Sequence, residues 1–455
     1  MRKYLAAVIA LFLFNGLEAQ QDDSLFIRKI STEILVNSKA YDQLRELTKG
    51  IGNRLAGSPG MVKAENWGRV QMAAAGADKA WLQECMVPRW VRGGKDQLLY
   101  APKGSKPRSL DVLALGNSIG TGKAGVTAGV IEVGSYADLE AKKEQVRGKI
   151  VFYNYRFRED YVRTFEAYVD AVKYRGGGPS AGSKYGAKAT IVRSMSSATD
   201  NYPHTGGMGY DSSFAKIPAV AIGLKDADWL SQQLAKGEVT VTMKTNGHFL
   251  PDTVGHNVIG EITGSEFPDR IITIGGHLDS WDLGEGAHDD GTGCVQTIEI
   301  LRSFKALGFK PKHTIRFVLF ANEENGARGG KKYAEEAKEK NEQHVFALES
   351  DGGGFTPRGF GFTVPPDAWT KLNTWKALLE PYGGGSFSNG GGGTDIAPLN
   401  KLLQVPLAGL EPDTQRYFDI HHTRNDVFEN VNKRELLLGA VNMAALVYLV
   451  DKYGL

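Results

Sequence analysis

The sequence predicts an α/β protein: a mostly parallel or mixed sheet with helices on both faces, interrupted by an inserted β-rich segment. Three observations carry this. In the C-terminal half, short apolar runs rich in Ile, Val and Phe alternate with helical patterns. Strands that alternate with helices need crossover connections, which build a largely parallel sheet covered on both sides. Upstream, short β-like runs separated by Gly occupy about residues 109–245. The chain has 455 residues, 42% hydrophobic and 23% charged, which suits a globular chain of two or three domains.

Taken in order, residues 1–19 lie outside the fold. Arg2 and Lys3 precede an apolar run from Tyr4 to Phe14, and Leu17-Glu18-Ala19 follows at the cleavage positions. That is the layout of a secretory signal, too short to span a bilayer as a stop-transfer helix. Export to the periplasm or medium is therefore expected, with no membrane span in the mature chain. Residues 20–108 form an N-terminal part of the main domain. Asp22 to Gly76 reads as largely helical, with Ile30, Ile34 and Leu35, then Leu44 and Leu47, at helical spacing.

Residues 109–245 carry β-like runs at Leu110–Leu115, Val126–Val133, Lys149–Tyr153, Ala189–Val192 and Ala219–Ile222, with a helix over Asp226–Leu234. Gly176-Gly177-Gly178-Pro179 reads as a turn. Residues 246–455 supply the main α/β pattern. Strands are expected at Asn257–Glu261, Arg270–Gly275, Thr314–Phe320 and His344–Glu349. Helices are expected at Thr292–Leu307, Gly329–Asn341, Asp367–Glu380 and Lys433–Lys452.

Formal net charge is +2, which argues against nucleic acid as a partner. Two cysteines, Cys85 and Cys294, allow one disulfide, but Cys294 sits in an apolar helical pattern and reads as a buried thiol.

The polar groups just past the strands carry the chemistry. One strand runs into Gly275-Gly276-His277-Leu278-Asp279-Ser280, and Gly286-Ala287-His288-Asp289-Asp290-Gly291 opens the following helix. The next strand ends in Ala321-Asn322-Glu323-Glu324-Asn325, and another runs into Glu349-Ser350-Asp351-Gly352-Gly353. Asp419-Ile420-His421-His422-Thr423 comes later. In open α/β sheets the crevice beyond the carboxyl strand ends is where ligands bind. Imidazole and carboxylate donors without thiolate suit zinc or a similar divalent ion. Five donors exceed the need of one catalytic ion and fit a pair sharing a carboxylate. Each fragment alone has a plainer reading: a loop histidine, solvated charge at Glu323-Glu324, or an N-cap at Asp289 or Asp290.

This ordered set resembles the M28 family of dinuclear zinc exopeptidases, with most likeness to its carboxypeptidase Q-like branch, and the likeness extends over the mature chain. The resemblance implies the zinc exopeptidase fold with an inserted protease-associated (PA) domain over 109–245. It implies two Zn2+ ions per chain, His277 and Asp351 on one, Glu324 and His422 on the other, and Asp289 bridging. Glu323 matches the general base acting on water held between the ions, and Asp279 the carboxylate that orients His277. His288 stands where the family usually has Asn, and His421 where it often has Tyr; Thr423 favours His422 over His421 as the ligand. The implied activity is hydrolysis of dipeptides or of peptides with free N-termini. A carboxypeptidase acting on C-terminal residues is the alternative, and a homodimer is suggested. Gly383–Gly393 with Thr394-Asp395 could shape a small substrate pocket or form a flexible surface loop.

Three rival readings fit the sequence less well. Gly116-Asn117-Ser118-Ile119-Gly120 matches a serine-hydrolase elbow, but the residues after it make no helix. A glutaminyl cyclase of this fold uses one zinc, which five donors disfavour. A receptor-like, non-catalytic binding protein would have lost ligands that this chain keeps.

Overall fold

The computed structural model describes residues 21–455 apart from 103 and 105, so the expected leader at 1–19 lies outside the described residues. Two eight-stranded sheets organise the chain. The main sheet has, in order, strands Lys79–Val91, His248–Ile262, His313–Phe320, Phe267–His277, Gln343–Glu349, Leu407–Pro412, Pro357–Thr363 and Ser386–Asn389. Its four central strands, His313–Phe320 to Leu407–Pro412, pair in parallel, and antiparallel pairs flank them. From Ile271 to His277 every residue is buried. That is why the central strands read as continuous apolar runs rather than alternating ones.

Helix Thr292–Ala306 packs on this sheet and on helix Lys433–Tyr453. Both are buried on nearly all sides. The second is apolar enough by length and composition to cross a membrane, yet its apolar window is 83% buried inside the protein. Its start is set by Asn432, whose side chain accepts from the amides of Arg434 and Glu435.

The second sheet has order Arg108–Leu110, Gln97–Tyr100, Thr240–Lys244, Val126–Val133, Ile150–Tyr153, Ala189–Arg193, Ala219–Ile222, Val112–Ala114. It takes in Gln97–Tyr100 and Arg108–Leu110, ahead of the boundary expected at 109. The reason is pairing: the chain enters on Gln97–Tyr100 and leaves on Thr240–Lys244, which hydrogen-bond antiparallel. Its neighbours in the main sheet, Lys79–Val91 and His248–Ile262, do the same. Gly178 and Pro179, expected in a turn, begin helix Gly178–Lys184. Ser118 is buried, donates to the Ile119 carbonyl and accepts from the Ala219 amide, so it serves structure rather than an elbow. Cys85 and Cys294 are buried and unbridged.

At the other end of the main sheet, Arg316 pairs with Glu342 at 2.8 Å and His344 Nε2 lies 3.1 Å from the same carboxylate. Burial alone would raise Glu342, but His344 and Arg316 outweigh it and hold the carboxyl at about 2. A depressed carboxyl stabilises the fold above its unfolded value near 4.5 and ceases to as pH falls toward 2. Glu342→Gln is therefore expected to cost on the order of 1 kcal/mol at pH 7 after solvent screening. The difference from the parent should close between about pH 4.5 and pH 2 in denaturant titrations.

Candidate metal centre

His277 ends strand Phe267–His277, Glu323 and Glu324 follow His313–Phe320, and Asp351 follows Gln343–Glu349. Three adjacent parallel strands thus deliver their polar groups to one crevice. Asp289 comes from the loop opening helix Thr292–Ala306, and His422 from the turn after the short helix Tyr417–Ile420. All seven residues expected at the site come together there.

Asp289 sits at the middle. His277 Nε2 lies 3.2 Å from its Oδ1, and His422 Nε2 lies 3.1 Å from its Oδ2. His277 Nε2 is also 3.2 Å from Asp351 Oδ1, and His422 Nε2 is 3.1 Å from Glu324 Oε2. One carboxylate therefore faces two donor pairs, one oxygen each. His421 stacks on His422 with ring centroids 3.5 Å apart, but its Nε2 is 3.6 Å from Asp289. Of the two histidines, His422 is the one in contact with Glu324.

Asp290 is adjacent, buried, and engaged otherwise: its Oδ2 accepts from the His277 amide and its Oδ1 from the Gly293 amide, both at 3.0 Å. It caps the helix start, as the plainer reading of the sequence had it.

Asp279 departs from expectation. His277 Nδ1 donates to its backbone carbonyl at 3.0 Å, whereas its carboxylate is 3.7 Å away. The carboxylate instead accepts from the amides of Glu323 at 2.9 Å and Glu324 at 3.3 Å. Asp279 orients the histidine through its main chain and fixes the two glutamates with its side chain.

Charge is crowded. Burial pushes Glu323 up to about 8, with Asp351 and Glu324 adding to the rise against His277. Burial and Asp289 push Glu324 up to about 7. Burial disfavours a charged His422, but Glu324 and Asp289 outweigh it and raise it to about 10. His277 is likewise raised, burial being overcome chiefly by Asp351. Glu324 Oε1 is buried with no hydrogen-bond partner among the described residues. A cluster of buried carboxylates that draws protons onto itself and leaves an acceptor orphaned is short of positive charge, and divalent cations would supply it.

Comparison with known proteins decides the family. A profile of peptidase family M28 matches residues 257–447. Carboxypeptidase Q of Xenopus laevis is 35% identical over 407 residues, 88% of this chain and 84% of its own length. The chain belongs to peptidase family M28. It is a carboxypeptidase Q-like metallopeptidase. A solved M28 peptidase precursor from Shewanella amazonensis matches at a TM-score of 0.89 and 32% identity, covering 95% of this chain and 97% of that one. A zinc aminopeptidase from Bacillus subtilis, BSAP, shares the fold at a TM-score of 0.65 and 23% identity, over 90% of this chain and 94% of its own.

This M28 site has supports that sequence reasoning missed. Asp426 accepts from the amides of His288 at 2.7 Å and Asp289 at 3.1 Å, fixing the central loop. The Arg54 guanidinium, fully buried, donates to the carbonyls of Leu278 at 2.7 Å, Glu285 at 2.6 Å and Gly286 at 2.9 Å. It ties the His277 loop to the Asp289 loop. Glu349 accepts from the amides of Asp395 and Ile396 at 3.2 and 3.0 Å. His288 donates to the Asn430 carbonyl, accepts from the Gly354 amide and stacks on Phe355; burial holds it down at about 4. A single Arg far from the motifs and a single Asp just past Thr423 carry no periodic or local signal, so nothing in the chain announced them.

Proposed function

We propose that this metallopeptidase is an exported, two-zinc exopeptidase acting on dipeptides or unblocked N-termini. The observation that carries the reading is Asp289, one oxygen beside His277 and the other beside His422. His277 and Asp351 would hold one ion, Glu324 and His422 the other, with Asp289 shared. Such a pair supplies Lewis acidity that makes water a nucleophile near neutral pH and offsets the charge developing on the scissile carbonyl.

The protein does the rest. Asp279, through two amides, holds Glu323 at the edge of the centre without occupying the Glu323 carboxyl. Glu323, with its affinity for a proton raised by burial, takes the proton of the attacking water and passes it to the leaving amine. A cavity of about 700 Å³ opens beside Asp351. Gly391, Gly392, Gly393 and Thr394 line it, together with Val162 and Phe165 of the second-sheet region. Glycine at 391–393 lets backbone approach closely, since a Cβ on Gly393 would lie 2.1 Å from Glu349.

A second reading, cleavage from the C-terminus, is favoured by the name that the Xenopus relative bears. Unblocked, N-acetylated and C-amidated dipeptides, with and without chelator, separate the two. Chelator-sensitive cleavage abolished by N-acetylation is the expected result. Cleavage of the N-acetylated peptides would select the carboxypeptidase. No cleavage with zinc bound would sink both.

A further inference from the structure

The second sheet reaches the metal centre most directly beside His422. Residues 204–207 follow the sheet's strand Ala189–Arg193 and lie against the His422 turn. The Thr205 amide donates to the His422 carbonyl at 3.1 Å, and His422 Nδ1 lies 3.3 Å from the Thr205 carbonyl. His422 has φ +60°, a left-handed conformation that costs a non-glycine residue energy and persists only where the surroundings enforce it. The Thr205 amide holds that turn from outside, and the Thr423 amide donating to the Ile420 carbonyl at 3.0 Å closes it from within.

Thr205 is itself held tightly. It is fully buried, and its hydroxyl donates to the Ala114 carbonyl at 2.9 Å, at the end of the second-sheet strand Val112–Ala114. The Gly116 amide donates to the Gly206 carbonyl at 2.9 Å. Arg175, on the short helix Lys173–Gly176, sends Nη1 to the Thr205 carbonyl at 3.4 Å and Nη2 to the Tyr168 hydroxyl at 2.6 Å. Gly206 has φ +137°, and a Cβ there would lie 2.4 Å from the Arg175 guanidinium.

We propose that the second sheet is a working part of the metal centre, its Thr205 segment fixing the turn from which the His422 ring reaches the other donors. The Thr205 amide holds the His422 carbonyl, and Nδ1 lies between the Thr205 carbonyl at 3.3 Å and Arg175 Nη1 at 3.5 Å, which leaves Nε2 facing Asp289 and Glu324. Thr205 and Gly206 are positioning residues, acting through His422. This rests on His422 being a ligand, as in the proposed function. His277, by contrast, takes its orientation from Asp279 within its own sheet. The second sheet should therefore control one ion and leave the other alone.

The test titrates zinc into metal-free protein against a competing chelator. Gly206→Ala, which must displace Arg175 or Thr205, and Thr205→Val, which loses the Ala114 anchor, are compared with Leu230→Ala. Leu230 is buried in the second-sheet core away from the contact. We expect one ion to stay at parental affinity and the other to weaken about 10–100-fold in Gly206→Ala, with a smaller loss of the same ion in Thr205→Val. Leu230→Ala should lower the melting temperature and keep both ions. Unchanged binding of both ions, equal weakening of both, or loss of the same ion in Leu230→Ala would each overturn the proposal. If Gly206→Ala does not fold, Thr205→Val decides by the same criteria. Failure of the ligand assignment itself looks different: the parent would take up fewer than two zinc ions, or His422→Ala would keep both.

Discussion

Glu323→Gln is expected to lower kcat by about 10²–10⁴-fold while both zinc ions stay bound. The amide has the shape of the carboxylate and cannot take up a proton from water. Its position should hold, because Asp279 grips the Glu323 backbone amide at 2.9 Å rather than the side chain. Stability should move the other way. At Glu323 burial, Asp351 and Glu324 resist ionisation, pushing the carboxyl up to about 8. A group whose folded value is raised costs the fold stability at pH 7, where the unfolded chain ionises freely. Removing that charge should raise the melting temperature of the metal-free protein even as it removes turnover, a trade-off common at active sites. Elemental analysis, steady-state rates and melting curves check all three. Near-parental rates would assign the base elsewhere.

Asp289→Ala should have the larger effect on the centre itself. It removes both oxygens between His277 and His422, and no neighbour can substitute. Asp290 is nearest in sequence, but its two oxygens are committed to the His277 and Gly293 amides. Zinc bound only by the native state stabilises it by about 4 kcal/mol at a thousand times its Kd. The parent should therefore show a melting temperature that falls on adding chelator. Asp289→Ala should melt at one temperature with or without chelator, and should show no peptidase activity. A variant that still binds two ions and still responds to chelator would show that Asp289 does not bridge.

The proposed ligand set was legible because its signal is local. His277, Glu323-Glu324 and Asp351 each stand just past an apolar run, and in a parallel sheet all such positions emerge at one edge. The choice between His421 and His422 was less legible. Adjacent residues share every local signal, and only the turn with φ +60° at His422 separates them, bringing one ring to Glu324 and leaving the other stacked behind it. Asp279 shows the same limit: its place two residues after His277 was visible, but not which of its groups would do the orienting.

By itself, the sequence determined the alternation of strands and helices, the five sequence neighbourhoods that meet at the centre, and the donor chemistry they bring. These follow from periodicity and from which residue types sit at strand ends, properties of short windows. Only the tertiary structure decided that Asp289 faces inward while Asp290 caps a helix, that Arg54 binds two loops together, and that the second sheet begins at Gln97. It also decided that Thr205 reaches His422, 217 residues away along the chain. Contacts of that span depend on how two sheets pack, and packing is a sum over many weak long-range terms that no short window of residues contains.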